Sequence, residues 1–221
     1  MTIASHLPAA DSPQRRSVSD ELCGVVRQIH AQGWCQGTGG NFSVCLGREP
    51  LRLLITQSGR DKRRIGPDDL VLVDGEGHPA EGEQGKPSGE TRLHCTIAAK
   101  TGAGSVLHTH SVATTLLGEH FLDAGGLAIT GSEMLKGLTG IDTHEASVRV
   151  PVLANDQNMP RFGRRVDELL DAQPGLHGFL IGGHGLYTWG ATVAEAQRHV
   201  EIFEFLFECV ARRVRFAPFT G

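Results

Sequence analysis

The chain has 221 residues and a formal net charge of −4, so one domain with a sizeable core is expected. It contains no basic block that would indicate a nucleic-acid partner, and no apolar run that is long enough to span a membrane. Its five cysteines are odd in number and form no C-x-x-C pair, which is typical of free thiols in a reducing cytoplasm.

Helical and extended segments alternate along the sequence. Residues 1–18 carry no apolar signal core and are expected to form a flexible leader, whereas residues 19–221 are expected to form a single domain. Apolar spacing predicts a first helix over 19–32, which Gly33 can end. Further helices are predicted over 88–102, 114–121, 161–175 and from 192 onward, and strands over 51–56, 70–74, 105–112, 126–130, 147–152 and the two halves of 178–190.

The stretch "SVLHTHSV" (105–112) places two histidines two positions apart in an apolar run. Alternate side chains of a strand share a face, so His108 and His110 point the same way and are spaced to bind one metal ion. His184, between two glycines in "IGGHGLYTWG", is the best third ligand, because the glycines let the backbone approach closely. Three neutral imidazoles leave an open coordination position, which is the pattern of a catalytic zinc site. The alternatives are histidines held only by hydrogen bonds and an ordinary loop role for His184. Three other histidines are reserve ligands: His94, His144 and His177.

Three glycine-containing segments form a second pattern: "GTGGNFS" (37–43), "TQSGRDK" (56–62) and "KPSGE" (86–90). Each offers backbone N–H groups with hydroxyl or amide side chains, and the third also begins a predicted helix. Such a set can bind a phosphate, although each segment alone is more often a simple turn. None of them matches the P-loop or the dinucleotide-binding fingerprint, which argues against nucleotide binding.

Two acids lie beside these patterns. Glu90 is in the first turn of the predicted helix before the histidine strand, where an acid usually serves the helix dipole. Glu133 lies in "ITGSEMLKG" after a short strand, where a solvated loop acid is the ordinary interpretation. Local sequence alone does not make either residue catalytic.

The order of "GTGGNFS", "ITQSG", "KPSGETRLH", "VLHTHS" and "GGHGLYTWG" resembles the class II aldolase/adducin family over residues 20–212. The resemblance implies an α/β fold, a three-layer α/β/α sandwich around a mainly antiparallel sheet. It also implies a homotetramer with active sites near subunit interfaces, a small sugar-phosphate substrate, and one Zn²⁺ per subunit on His108, His110 and His184. The family's phosphate contacts fall on five positions of this chain: Gly40, Asn41, Ser58, Gly59 and Ser88.

Within that family, "ITGSEMLKGLTG", "DTHEAS", "VPVLANDQ" and "EIFEFLFE" are similar to enzymes that dehydrate a methylthio-substituted ketose phosphate in methionine salvage. This resemblance implies that Glu133 is the catalytic acid/base. It implies that Glu90 either contacts the metal or acts as a base. A sugar-phosphate aldolase remains an alternative because it would use the same metal site, and a non-catalytic adducin-like binding module is the third possibility.

Overall fold

An eight-stranded mixed sheet forms the centre of the computed structural model, which describes residues 12–214. Its strands are β1 (Asn41–Arg48), β2 (Leu51–Thr56), β3 (Leu70–Asp74), β4 (Ser105–Thr109), β5 (Gly126–Thr130), β6 (Ser147–Leu153), β7 (Gly178–Ile181) and β8 (Gly185–Gly190). They are arranged in the order β3-β2-β1-β4-β8-β7-β6-β5. Neighbouring strands pair antiparallel except β6 and β7, which pair parallel. The predicted mainly antiparallel sheet is confirmed.

Helices cover both faces of this sheet. They are α1 (Pro13–Ala31), α2 (Thr91–Thr101), α3 (Val112–His120), α4 (Met159–Ala172) and α5 (Val193–Arg213), with short 3-10 helices at Pro67–Asp69 and Glu133–Gly137. On one face, Val106 of β4 joins a buried cluster with Phe162 of α4. On the other face, the next strand residue, Leu107, packs with Leu22 of α1. Because successive strand residues serve opposite cores, the three-layer α/β/α sandwich is confirmed. No helix within residues 12–214 is long and apolar enough to cross a bilayer.

The first helix is longer than predicted, so the leader prediction is wrong for residues 13–18. Ser12 caps α1 by accepting a hydrogen bond from Arg15 N, and a proline occupies the first helical turn. The half-buried Arg15 side chain also forms an ion pair of 2.6 Å with Glu83, which fixes the start of the helix against the body of the protein. The first part of the predicted leader, residues 1–11, lies outside the described residues.

Strand β1 was not predicted, because residues 37–43 were interpreted as one loop. Asn41 and Ser43 instead lie in a strand that pairs with β2 on one side and β4 on the other. Gly40, at φ 73°, makes the turn into this strand, and a β-carbon there would lie 2.7 Å from His108 O. Helix α2 begins at Thr91 rather than at Ser88, since residues 88–90 form a turn in which Thr91 N donates to Ser88 O.

Candidate metal centre and active site

Three histidines and one glutamate come together where β4 ends and β8 begins, which we call the histidine end of the sheet. His108 and His110 come from β4 and the residue after it, His184 from the β7–β8 turn, and Glu90 from the turn before α2. Each offers one donor atom, and the four atoms lie within 4.8 Å of one another. The Nε2 atom of His108 is 2.7 Å from that of His110 and 3.3 Å from that of His184. This group could hold a metal ion.

The hydrogen bonds and environment of these imidazoles fit metal ligation. His108 Nδ1 donates to Leu186 O at 2.8 Å, which leaves a lone pair on the Nε2 atom that faces the group. Burial lowers the pKa of His108 well below its ordinary value and the pKa of His110 to about 4, with neighbouring histidines contributing. Both rings are therefore neutral near pH 7. These two neutral rings can bind a cation without first losing protons.

Glycine backbone allows His184 to reach the strand. A β-carbon on Gly185 would lie 2.0 Å from Thr109 O and 3.1 Å from a ring carbon of His110. Gly183 adopts φ 63°, a left-handed conformation that suits glycine. Glycine therefore suits both positions beside His184: Gly183 for its backbone conformation, and Gly185 for its close approach to Thr109.

Glu90 is held by a network of buried polar groups. Asn41 Nδ2 donates to Glu90 Oε2 at 2.7 Å, and the other carboxylate oxygen, Oε1, lies 3.6 Å from His184 Nε2. Oε2 is also 3.4 Å from His108 Nε2. Tyr187 is fully buried, stacks on the ring of His108 at a centroid distance of 4.0 Å, and donates a hydrogen bond of 3.5 Å from its hydroxyl to Asn41 Oδ1. Burial and the adjacent Glu90 raise the pKa of Tyr187 well above its ordinary value, so the phenol stays protonated.

The three glycine-containing segments lie side by side. Ser58 N donates to Lys86 O at 2.8 Å, and Gln57 forms a β-bridge with Pro87. The ammonium group of Lys62 donates to Thr38 O at 3.1 Å and to Arg60 O at 3.2 Å, which joins the first segment to the second. Lys62 is only 1% exposed, and sequence reasoning did not single it out, because a lysine in a polar turn is normally solvated.

The predicted phosphate contacts in these segments differ in their exposure to solvent. Ser58 and Gly59 are exposed and Ser88 is half-buried, so all three remain open to a ligand. Asn41 is 5% exposed and its side chain is engaged with Glu90, so its amide group serves the metal group in this structure. The backbone of Gly40 lies against β4.

Residues 20–211 match the family model described as the class II aldolase and adducin N-terminal domain. The chain belongs to the class II aldolase/adducin family. A methylthioribulose-1-phosphate dehydratase of Methylococcus capsulatus is 46% identical over 193 residues, or 87% of this chain and 92% of that protein. One from Picosynechococcus is 39% identical over 94% of this chain and 97% of its own length. Among solved structures, L-fuculose-1-phosphate aldolase from Thermus thermophilus matches with a TM-score of 0.70 at 26% identity, covering 90% of this chain and 95% of the aldolase.

Glu133 lies away from the metal group of its own chain. At the histidine end β4, β6 and β7 finish, while β8 and β5 begin, as the strand pairings require. Strand β5 therefore runs toward the other end of the sheet, and Glu133 follows its last residue, Thr130. Glu133 is exposed and pairs with Lys136 and with His144, the latter at 3.2 Å. The ion pair with Lys136 lowers the pKa of Glu133.

The three reserve histidines also lie outside the metal group. His94 is buried and bonds to Asn41, His144 pairs with Glu133, and His177 Nε2 donates to Thr139 O at 2.7 Å.

Proposed function

We propose that the protein dehydrates 5-methylthioribulose 1-phosphate to the 2,3-diketo-5-methylthiopentyl 1-phosphate, with one Zn²⁺ per subunit. The observation that carries this proposal is the similarity to dehydratases of that name over about nine-tenths of both chains. The group of three histidines and one glutamate in the same chain supports an enzyme rather than an adducin-like binding module.

Zinc fits the ligand set of His108, His110 and His184. Two nitrogens bound to one tetrahedral zinc at 2.0–2.1 Å lie about 3.3 Å apart. The Nε2 atoms of His108 and His184 already have this spacing of 3.3 Å. His110 would have to move outward by roughly 0.6 Å, since its nitrogen is 2.7 Å from that of His108. The three imidazoles add no negative charge of their own, and they leave a position on the ion for the Glu90 carboxylate or for substrate oxygens.

The reaction removes a proton from the carbon beside the ketone and a hydroxyl from the next carbon, and the resulting enol rearranges to a diketone. When bound, zinc supplies positive charge where negative charge develops on the substrate oxygens. Glu90, at the edge of the metal group, can hold or transfer a proton there. The exposed Ser58–Gly59 turn and the half-buried Ser88 can bind the phosphate, which anchors the substrate away from the reacting carbons.

Glu133 can take part only if assembly brings one subunit's Glu133 to the histidine end of another. We therefore propose a homotetramer whose active sites lie near subunit interfaces, with Glu133 as the acid/base. Two facts support this arrangement: Glu133 and its neighbour Met134 are both exposed, and they follow the end of β5 that is remote from the histidines. Such an assembly would desolvate the carboxyl group and bring its pKa toward the range that suits proton transfer.

The deciding experiment incubates the purified enzyme with methylthioribulose 1-phosphate and detects the diketone by mass spectrometry. Two carbonyl fragments instead of a diketone would indicate an aldolase, the activity named for the Thermus relative. Absence of turnover together with purification without stoichiometric zinc would indicate a binding module.

The role of Glu133 has its own test. Glu133→Gln should retain zinc and lower turnover by about 10²- to 10⁴-fold, the usual scale for a lost acid/base group. Glu145→Gln, at an exposed acid of the same region, is the matched control and should remain active. Mixed oligomers of Glu133→Gln and His184→Ala subunits should regain activity, because some sites would then combine intact halves. Near wild-type turnover by Glu133→Gln would leave Glu90 as the leading proton carrier.

A further inference from the structure

A chain of three hydrogen bonds runs from the protein core to the glutamate of the metal group. Ser43 Oγ lies 2.8 Å from His94 Nδ1, His94 Nε2 lies 2.5 Å from Asn41 Oδ1, and Asn41 Nδ2 lies 2.7 Å from Glu90 Oε2. Ser43 and His94 are fully buried and Asn41 is 5% exposed. These residues come from β1 and α2, so the chain joins two elements that each adjoin the site.

The chemistry of the groups determines which atom donates and which accepts in each of these three hydrogen bonds. A carboxylate can only accept, so the amide nitrogen of Asn41 must face Glu90 and its oxygen must face His94. That oxygen accepts, so His94 carries its proton on Nε2. Burial lowers the pKa of His94 to about 3, so the ring is neutral and its Nδ1 atom accepts from the Ser43 hydroxyl. A flipped amide would place two acceptors face to face.

We propose that Asn41 and His94 are positioning residues that hold the carboxylate of Glu90 in the metal group. The Asn41 side chain already donates to Glu90 and accepts from His94, while Tyr187 Oη lies 3.5 Å from the same amide oxygen. Its oxygen and one of its two N–H groups are thus engaged in the interior, which orients the amide toward Glu90. Buried partners that orient a ligand in this way typically contribute a factor of about 10 to 100 in metal affinity or activity.

The inference rests on the proposed function for its zinc ion and for its kinetic part. Its decisive measurement is the zinc dissociation constant of the full-length protein, from competition with a chelator of known affinity. Asn41→Leu removes both hydrogen bonds at similar volume, and it should weaken zinc binding by about 10- to 100-fold. The same substitution in a Glu90→Ala background should weaken zinc binding little further, because the residue acts through Glu90.

A matched pair at His94 keeps the test decisive if Asn41→Leu does not fold. His94→Gln retains an N–H donor for Asn41 and an acceptor for Ser43, whereas His94→Leu retains neither. His94→Gln should therefore bind zinc nearly as tightly as the wild type, and His94→Leu should resemble Asn41→Leu. A purely packing role for His94 predicts no advantage of glutamine over leucine, and that result would overturn the proposal.

Steady-state kinetics separate this proposal from phosphate binding. Loss of positioning should lower kcat with little change in KM, whereas loss of a phosphate contact should mainly raise KM. A raised KM with unchanged zinc affinity, or a loss of zinc affinity that persists in full in the Glu90→Ala background, would refute the positioning role. If the wild-type enzyme does not dehydrate the substrate, the proposed function fails, and the zinc measurements still decide the role of Asn41 and His94.

Discussion

A carboxyl group outside the metal group gives the sharpest prediction about stability. Glu204 lies on α5 beneath β4, is 3% exposed, and accepts a hydrogen bond of 2.9 Å from Thr109 Oγ1. Burial raises its pKa from 4.5 to about 7, although hydrogen bonds from Thr109 and Ser111 act in the opposite direction. The fold therefore favours the protonated acid, and Glu204→Gln should preserve the neutral state at every pH.

The sign and size of the effect follow from proton linkage. The folded-state pKa is above the unfolded-state value, so the wild type loses stability as the pH rises from about 4.5 to about 7. With these two values the loss is about 0.8 kcal/mol at pH 5 and about 3.4 kcal/mol at pH 8. Relative to Glu204→Gln, the wild type should thus lose about 2.5 kcal/mol over this interval, or roughly 5–10 °C in Tm for a chain of this size.

Thermal unfolding of both proteins at pH 5 and pH 8, in the same chelator-containing buffer, measures this difference. Other titrating groups, including the histidines of the metal group, contribute equally to both proteins and cancel in the comparison. A Tm difference between the two proteins that stays constant from pH 5 to pH 8 would refute the reasoning. It would mean that Glu204 is ionised in the fold, with water or a subunit contact providing its solvation.

Three further outcomes test the site. Gly185→Ala should lose bound zinc, measured by elemental analysis, because its β-carbon would lie 2.0 Å from Thr109 O; normal zinc content would show that β4 and β8 can separate. His184→Ala should purify with well below one zinc per chain, and full occupancy would remove this residue from the ligand set. Ser58→Ala and Ser88→Ala should each raise KM for the phosphorylated substrate in steady-state assays. Unchanged KM values would assign phosphate binding to backbone amides.

Sequence patterns correctly predicted the strands that consist of an uninterrupted apolar or β-favouring run. The runs at 51–56, 70–74 and 126–130 are strands with the predicted bounds, since each is an apolar or β-favouring segment between turns. Strand β1 was missed because it begins with Asn41 and Ser43, whose side chains are satisfied by groups far along the chain. Tertiary contacts outweighed local preference there.

The residues of the candidate site also fall into two groups: some follow from a local sequence pattern, and others depend on contacts between distant parts of the chain. The spacing of His108 and His110 follows from strand geometry, so two members of the metal group were visible in a few residues. Asn41 was predicted to contact phosphate because its loop is rich in glycine, and this stays a prediction; its hydrogen bond with Glu90 could not be foreseen, because the two residues are 49 positions apart. The position of Glu133 depends on the direction of β5 in the sheet, and no local pattern contains that information.

The residues of the metal group are far apart in the sequence, so the ribosome synthesises them at different times. His108 and His184 approach within 3.3 Å across 76 positions of sequence, and they adjoin the central strand pair β4 and β8. A nascent chain that has emerged only as far as α4 carries Glu90, His108 and His110 but lacks the third imidazole. At the proposed zinc site, tight binding would require that β8 has joined the sheet, and the ion would then oppose unfolding by closing this long loop. The proposed site would therefore form only in a chain whose β8 has folded, so zinc content would report completed folding of the sheet.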